Sequence, residues 1–205
     1  MTEATTIDTR LVIVEAALSC FRTQGLRKTT IVDIGRTAGV SRSTVYEYFP
    51  DKRAIVDAAS EHASQLFYRG MARAMDHGGS LEDKLSRAAV AVTRARRFID
   101  PERLSDAAEV NLLLTRNAGA LLRECGEFLT PYLTAAKLTG EVRKNLDVAA
   151  AAEWFARMLF SLFMTPSERL DGNDTDAVAD FVREHVVRGY ADSGPSRPRR
   201  ANDMR

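Results

Sequence analysis

The stretch "AGVSRSTVYEYFPDK", from Ala38 to Lys52, decides how this chain is read. It crowds two serines, a threonine and two tyrosines around a few apolar residues, with Arg42 and Lys52 among them. Gly39 supplies a tight turn, and Val40 plugs that turn into a core. Ser41 is a residue type that caps a helix start. The predicted helix runs from Arg42 to about Tyr48, anchored by Val45 and Phe49 at i and i+4. The other face then presents Arg42, Ser43, Thr44, Tyr46 and, toward its end, Tyr48. Small side chains at a helix start let the helix sink into a major groove, where Arg reads guanine and Ser or Thr reads several base edges.

Working outward, Thr30 opens "TIVD", a capping-box-like start with Asp in place of the usual Glu. A short helix follows over about Ile31 to Ala38, with Ile31, Ile34 and Ala38 facing inward. Before it, Ile13, Ala17 and Phe21 form one face of a helix over about Thr9 to Thr23, closed by Gly25. Two short helices joined by a glycine turn are the layout of a helix-turn-helix. Tyrosine hydroxyls and the Thr30 hydroxyl can reach phosphates. Lys52, in the first turn of a fourth helix, would place a cation beside outward-pointing amides, a phosphate clamp. The competing reading is a solvated helix face in an all-α domain.

The stretch from Arg10 to about Ala58 resembles the DNA-binding domain of the TetR family of transcriptional regulators. Ile13, Ala17, Phe21, Gly25, Thr29, Thr30, Ile34, Ala38, Gly39, Val40, Ser41, Thr44, Val45, Tyr46, Phe49 and Lys52 carry the resemblance. Gly35 departs from it, where Ala is usual, and should loosen its helix by roughly 1 kcal/mol. Pro50-Asp51 departs as well, where Ser or Asn before the lysine is usual. On this resemblance, Thr29, Thr30, Ser41, Arg42, Ser43, Thr44, Tyr46, Tyr48 and Lys52 are the expected DNA-binding residues. It also implies an all-α fold of about nine helices, with a three-helix helix-turn-helix domain followed by a larger helical ligand-binding and dimerisation domain. The implied partners are a second copy of the chain, a palindromic double-stranded operator, and a small molecule that releases it. Repression is the family's usual mode, and activation the alternative.

Helical periodicity continues beyond Lys52, and no strand-like alternation persists. A fourth helix, capped by Asp51, should reach about Asp76 with Ile55, Ala58, Ala59, Leu66 and Met75 inward. "HGGS" breaks it, and Ser80 with Asp83 starts a fifth helix to about Phe98. Helices are expected from about Arg103 to Arg116 and from Ala118 to Leu138, the latter kinked or split at Pro131 and closed by Gly140. Asp147 opens a strongly apolar helix to about Thr165, and Asp174 or Thr175 caps a last one to about Tyr190. The expected organisation is a flexible 1–8, a DNA-binding domain 9–57, a ligand-binding and dimerisation domain 58–191, and a disordered basic tail 192–205.

The apolar helix carries Trp154, Phe155, Met158, Leu159, Phe160, Leu162, Phe163 and Met164 nearly all round, so it should be buried on every side. The last helix offers Val178, Phe181, Val182, Val186 and Tyr190. Phe155, Leu159, Leu162, Phe163, Val178, Phe181 and Val182 are therefore the expected dimer interface, against the alternative of a purely intramolecular core. Phe67, Tyr68, Met71, Met75, Leu112, Leu113, Phe128, Trp154 and Met158 are candidate pocket residues, with plain core packing as the rival. Their Phe and Met character leans toward an elongated hydrophobic effector.

Other function classes find little support. The net charge of +1 selects no partner by itself, because a neutral chain can carry a basic face. There is no apolar run of about 18 residues and no secretory layout at the N-terminus, so a cytoplasmic protein is expected. Cys20 and Cys125 are read as small buried residues. His62, His77 and His185 lack a metal spacing, and neither a phosphate-binding glycine loop nor a nucleophile elbow occurs, so no enzyme, cofactor or metal is expected. "DGNDTD" (Asp171 to Asp176) lacks glycine and the final acid where a calcium loop needs them, and reads as a solvated loop ending in a cap. Arg197, Arg199 and Arg200 form a soluble tail or add nonspecific phosphate attraction. A helical protein-interaction module is the other rival, and steep salt dependence would separate it from DNA binding.

Overall fold

The computed structural model describes residues 8–96, 107–165, 167–185, 189 and 190. The described residues form nine helices and no strand: α1 Thr9–Gln24, α2 Ile31–Ala38, α3 Arg42–Tyr48, α4 Lys52–Met75, α5 Leu81–Arg96, α6 Ala107–Arg116, α7 Ala118–Thr139, α8 Val148–Met164 and α9 Thr175–His185. Local chemistry explains most of the boundaries. The Asp8 carboxylate accepts from the Arg10 and Leu11 amides and starts α1. Asp51 does the same for α4 through the Ala54 amide at 2.8 Å, and Asp147 for α8 through the Ala150 amide at 3.1 Å. Asp174 accepts from the Asp176 and Ala177 amides, so "DGNDTD" ends in a helix cap. Ser80 and Asp83 cap α5 reciprocally: each side chain accepts from the other's amide, at 3.2 and 3.1 Å.

Of the two outcomes expected at Pro131, a kink or a split, the split does not occur: α7 runs through it as one helix, and Pro131 is exposed. Leu66, expected inward, is 49% exposed. The expectations for Phe98, Arg103, Val186 and the basic tail lie outside the described residues, as does the structure of residues 1–7.

The chain divides into two compact units. The first comprises Met1–Arg73 with Thr93–Ala118, the second Ala74–Val92 with Gly119–Arg205. The first unit takes in α4, one uninterrupted helix of 24 residues, as far as Arg73, and Ile55 and Ala59 of that helix belong to its core. That core joins Ile13, Val14, Ala17 and Cys20 of α1 to Ile34 of α2, Val45 of α3 and Phe49. Cys20 Sγ lies 3.3 Å from the Thr37 hydroxyl; Cys20 and Cys125 are both buried thiols outside any disulfide.

In the second unit, polar contacts tie α5 to segments much later in the chain. The Leu81 amide donates to Glu141 at 2.7 Å. Arg183 of α9 lies 3.4 Å from Glu82 and 3.8 Å from Asp83. Tyr190 is buried, and its hydroxyl donates to the Ala151 carbonyl of α8 at 2.8 Å. Burial pushes that hydroxyl far above the ordinary tyrosine range, so it stays a neutral donor.

Candidate nucleic-acid interface

Helices α2 and α3 are fixed by short-range bonds before any partner arrives. Thr30 and Asp33 form a full capping box at the start of α2: the Asp33 amide donates to the Thr30 hydroxyl at 3.2 Å, and the Thr30 amide donates to Asp33 at 3.0 Å. The Thr30 hydroxyl also donates to the Asp33 carboxylate at 2.6 Å. These bonds from Thr30, with Arg36 adding its charge, hold the Asp33 carboxyl below its usual range. Gly39 ends α2 in the left-handed region at φ +71°, where only glycine sits without a Cβ penalty. The Val40 amide then donates to the Gly35 carbonyl at 2.9 Å, closing the turn.

Ser41 caps α3 by accepting from the Thr44 amide at 3.0 Å. Its hydroxyl also lies 2.7 Å from that of Ser43 and 2.9 Å from that of Thr44, a small hydroxyl network. Val45 and Phe49 are buried at 0% and 2% exposure, while Tyr46 and Tyr48 stand out at 42% and 43%. The Arg42 guanidinium lies over the Tyr46 ring at 5.4 Å and donates to its hydroxyl at 3.3 Å. Arg10 sits over the Phe49 ring at 5.0 Å, tying α1 to the end of α3. The outward face of α3 therefore carries Arg42, Ser43, Tyr46, Glu47 and Tyr48 together, with Thr44 half-buried beside them.

Three of the expected DNA contacts have partners within the chain. Thr29 is 1% exposed, and its hydroxyl donates to the Gly25 carbonyl at 2.7 Å, so it fastens the loop after α1 and is closed to solvent. The Thr30 hydroxyl is engaged in the capping box, where its one proton goes to Asp33. Lys52 does not extend outward as a bare cation. Its ammonium donates to the Leu26 carbonyl at 2.6 Å and the Arg27 carbonyl at 3.2 Å. Two of its three donors hold the α1–α2 loop, because those carbonyls lie beyond the end of α1 and need partners. Glu47 and the pair Arg27 and Lys28, two cations directly before Thr29 and Thr30, are exposed as well.

Comparison with known proteins decides the matter. The family model for bacterial regulatory proteins of the TetR family matches residues 13–59. An HTH-type transcriptional regulator of Mycobacterium bovis, Mb2274c, is 34% identical over 136 residues, covering 65% of this chain and 69% of that protein. The chain belongs to the TetR family of transcriptional regulators. Another relative, the HTH-type regulator YdgC of Bacillus subtilis, is 24% identical across 92% of this chain and 95% of its own. The fold extends over both units: the crystal structure of FadR from Bacillus subtilis in complex with stearoyl-CoA superposes with a TM-score of 0.59 at 19% identity, covering 85% of this chain and 97% of that one. Like the rest of the TetR family, the chain is a DNA-binding transcriptional regulator.

The second TetR-family expectation, dimerisation through α8 and α9, involves side chains that the single chain already buries. Phe155, Leu159, Val178 and Val182 are at most 2% exposed within a single chain. They are core residues, already covered before a partner could reach them. Leu162, Phe163 and Phe181 are half-buried. Nor is α8 buried all round: Trp154 is 44% exposed, with Glu153, Arg157 and Ser161 also outward. Trp154 packs edge-on against Tyr190 at 6.2 Å, and Glu153 pairs with Arg157.

The pocket candidates are spread over both units. Phe67, Tyr68, Met71, Leu112 and Leu113 belong to the first, Met75, Phe128, Trp154 and Met158 to the second. Met71 and Met75 are buried, whereas Leu112 is 51% exposed and, with Trp154, does not fit an enclosed lining. A groove of about 680 Å³ between residues 167–170 and α9, and a notch of about 160 Å³ between α1 and α4, are lined by none of these residues. Among the described residues no cluster of metal-binding side chains occurs, and no helix is long and apolar enough to cross a membrane.

Proposed function

We propose that this regulator is a homodimeric repressor that holds a palindromic operator and is released by a small hydrophobic molecule. The observation that carries the DNA half of this reading is the outward face of α3. Arg42, Ser43, Thr44, Tyr46 and Tyr48 share a helix that Val45 and Phe49 hold rigidly to the core, with Ser41 as its cap. A base-reading helix needs that combination of rigid mounting and polar exposure. Arg42, stacked on Tyr46, is presented in one orientation, which favours bidentate contact with guanine. Tyr46, Tyr48 and the loop cations Arg27 and Lys28 supply the phosphate contacts.

Trp154, at 44% exposure, and the half-buried Leu162, Phe163 and Phe181 are among the apolar side chains that α8 and α9 do not bury, and they are the dimer contacts assigned here. The effector class rests on the Phe and Met character of the partly buried candidates, Phe67, Phe128 and Met158. It also agrees with FadR from Bacillus subtilis, a fold relative crystallised with stearoyl-CoA. Bound to a chromosome, the protein works in the cytoplasm as a binding protein without a catalytic step.

Capture of sheared genomic DNA by the purified protein, followed by sequencing, tests the reading. A few retained palindromic sites are expected, released by long-chain acyl compounds in a mobility-shift assay. Transcripts beside those sites should rise when the gene is deleted; a fall would identify an activator. Retention of no site above background would overturn the operator reading.

A further inference from the structure

One exposed side chain on α3 is unlike its neighbours. At about 100° per residue, Glu47 lies roughly 200° round the helix from Val45, and Ser43 roughly 160°. These two are therefore the residues most directly opposite the buried Val45 and Phe49. Both are exposed. Arg42 and Tyr46, by contrast, sit to one side of that centre and are bonded to each other. Among the described residues, no hydrogen bond or ion pair engages the Glu47 carboxylate. Ser43, one turn earlier on the same line, is short, and its hydroxyl is turned to Ser41. Glu47 is the longest group on the midline of the face.

A carboxylate there is unfavourable for generic attraction to DNA, since phosphates repel it. An ionised carboxylate has only acceptors to offer. In the major groove the exocyclic N4 amino group of cytosine is a donor that matches it. We infer that Glu47 is a specificity-determining residue of this regulator, accepting a hydrogen bond from cytosine N4 in each operator half-site. The inference rests on the docking of α3 in the major groove. Glu47 subtracts from binding to arbitrary sequence and adds to binding where a cytosine meets it, so its net effect is discrimination.

Selection of random duplexes by the full-length protein, by Glu47→Gln and by Glu47→Ala tests this. Both changes lie on an exposed, unbonded side chain, and their thermal unfolding should match the parent's. The parent should select sites with one fixed cytosine per half-site. Glu47→Ala should lose discrimination at that position by roughly tenfold, the scale of one good base contact, with the rest of the site unchanged. Glu47→Gln should shift the same position toward adenine, whose N6 and N7 an amide can pair. Both variants should bind unrelated DNA more tightly at low salt. Identical selected sites and relative affinities for all three proteins would overturn the assignment while leaving DNA binding intact. Selection of no site by any of them would remove the docking of α3, and this assignment with it.

Discussion

Helices α3 and α8 make an instructive pair. Each starts at a capped residue, Ser41 or Asp147, whose side chain accepts a backbone amide three residues on. Each carries aromatic residues on more than one face. In α3, seven residues long, the anchors are Val45 and the C-cap Phe49, and most of the other side chains are left for solvent or a partner. In α8 the apolar residues run nearly all round, yet Phe155 and Leu159 are fully covered while Trp154 remains 44% exposed. A short helix with two apolar anchors has one way to face its core. A long helix with apolar residues on every side has several, and its sequence does not say which side meets its own chain.

The sharpest test of that contrast is Phe155→Ala. As a core residue at 0% exposure, it should lose about 3–5 kcal/mol of stability, independent of protein concentration. Chemical unfolding monitored at several concentrations would show this. A small loss that grows on dilution would instead place Phe155 in the dimer contact and reverse the assignment of the α8 faces.

Lys52→Met comes next and probes how the α3 region is mounted. Removing two charge-assisted bonds to the Leu26 and Arg27 carbonyls should cost about 1–3 kcal/mol. Affinity for DNA should fall, but the slope of log affinity against log salt should stay unchanged. A drop in slope of about 0.9 for each lost contact would mean that Lys52 touches phosphate after all.

A subtler comparison sets the two capping boxes against each other, Thr30 with Asp33 in the first unit and Ser80 with Asp83 in the second. Hydrogen bonds from the capping partner hold both carboxyls below their usual value of 3.8. A depressed folded-state value means stability that is complete above about pH 4 and lost as pH falls through the lowered value. Melting temperatures measured from about pH 5 to pH 2 should fall less steeply in Asp33→Asn and in Asp83→Asn than in the parent. If only one variant flattens the curve, the two boxes are not equivalent, and the unit that unfolds first in acid is the one whose box matters.

The smallest effect is expected at Gly35. The helix term favours alanine by about 1 kcal/mol. A Cβ there would lie 3.0 Å from the Val40 carbonyl oxygen, a backbone atom in the turn between α2 and α3. The two terms oppose each other, and Gly35→Ala should change stability by less than about 1 kcal/mol in thermal unfolding. A gain of the full helix term would show that the turn relaxes freely.

Much of the DNA-binding half was legible because its signals are local. Caps at Thr30 and Ser41, the turn at Gly39 and the spacing of the anchors Val45 and Phe49 each act over a few neighbouring residues, and the observed ranges of α2 and α3 match the expected ones. What the pattern missed there is where polar hydrogens go. Thr29, Thr30 and Lys52 look like donors to a phosphate, but their partners are the Gly25 carbonyl, Asp33 and the carbonyls of Leu26 and Arg27. Lys52 and Leu26 are 26 positions apart, beyond any local signal.

The sequence by itself determined that this chain is helical, where most helices begin and end, and which family its first quarter resembles, because capping, turn chemistry and 3.6-residue periodicity are properties of neighbouring residues. Only the tertiary structure decided which apolar side chains are core and which are surface, and which polar groups are already satisfied. Those outcomes depend on long-range partners, as when Tyr190 reaches the Ala151 carbonyl across 39 positions, while Trp154 on the same helix stays 44% exposed.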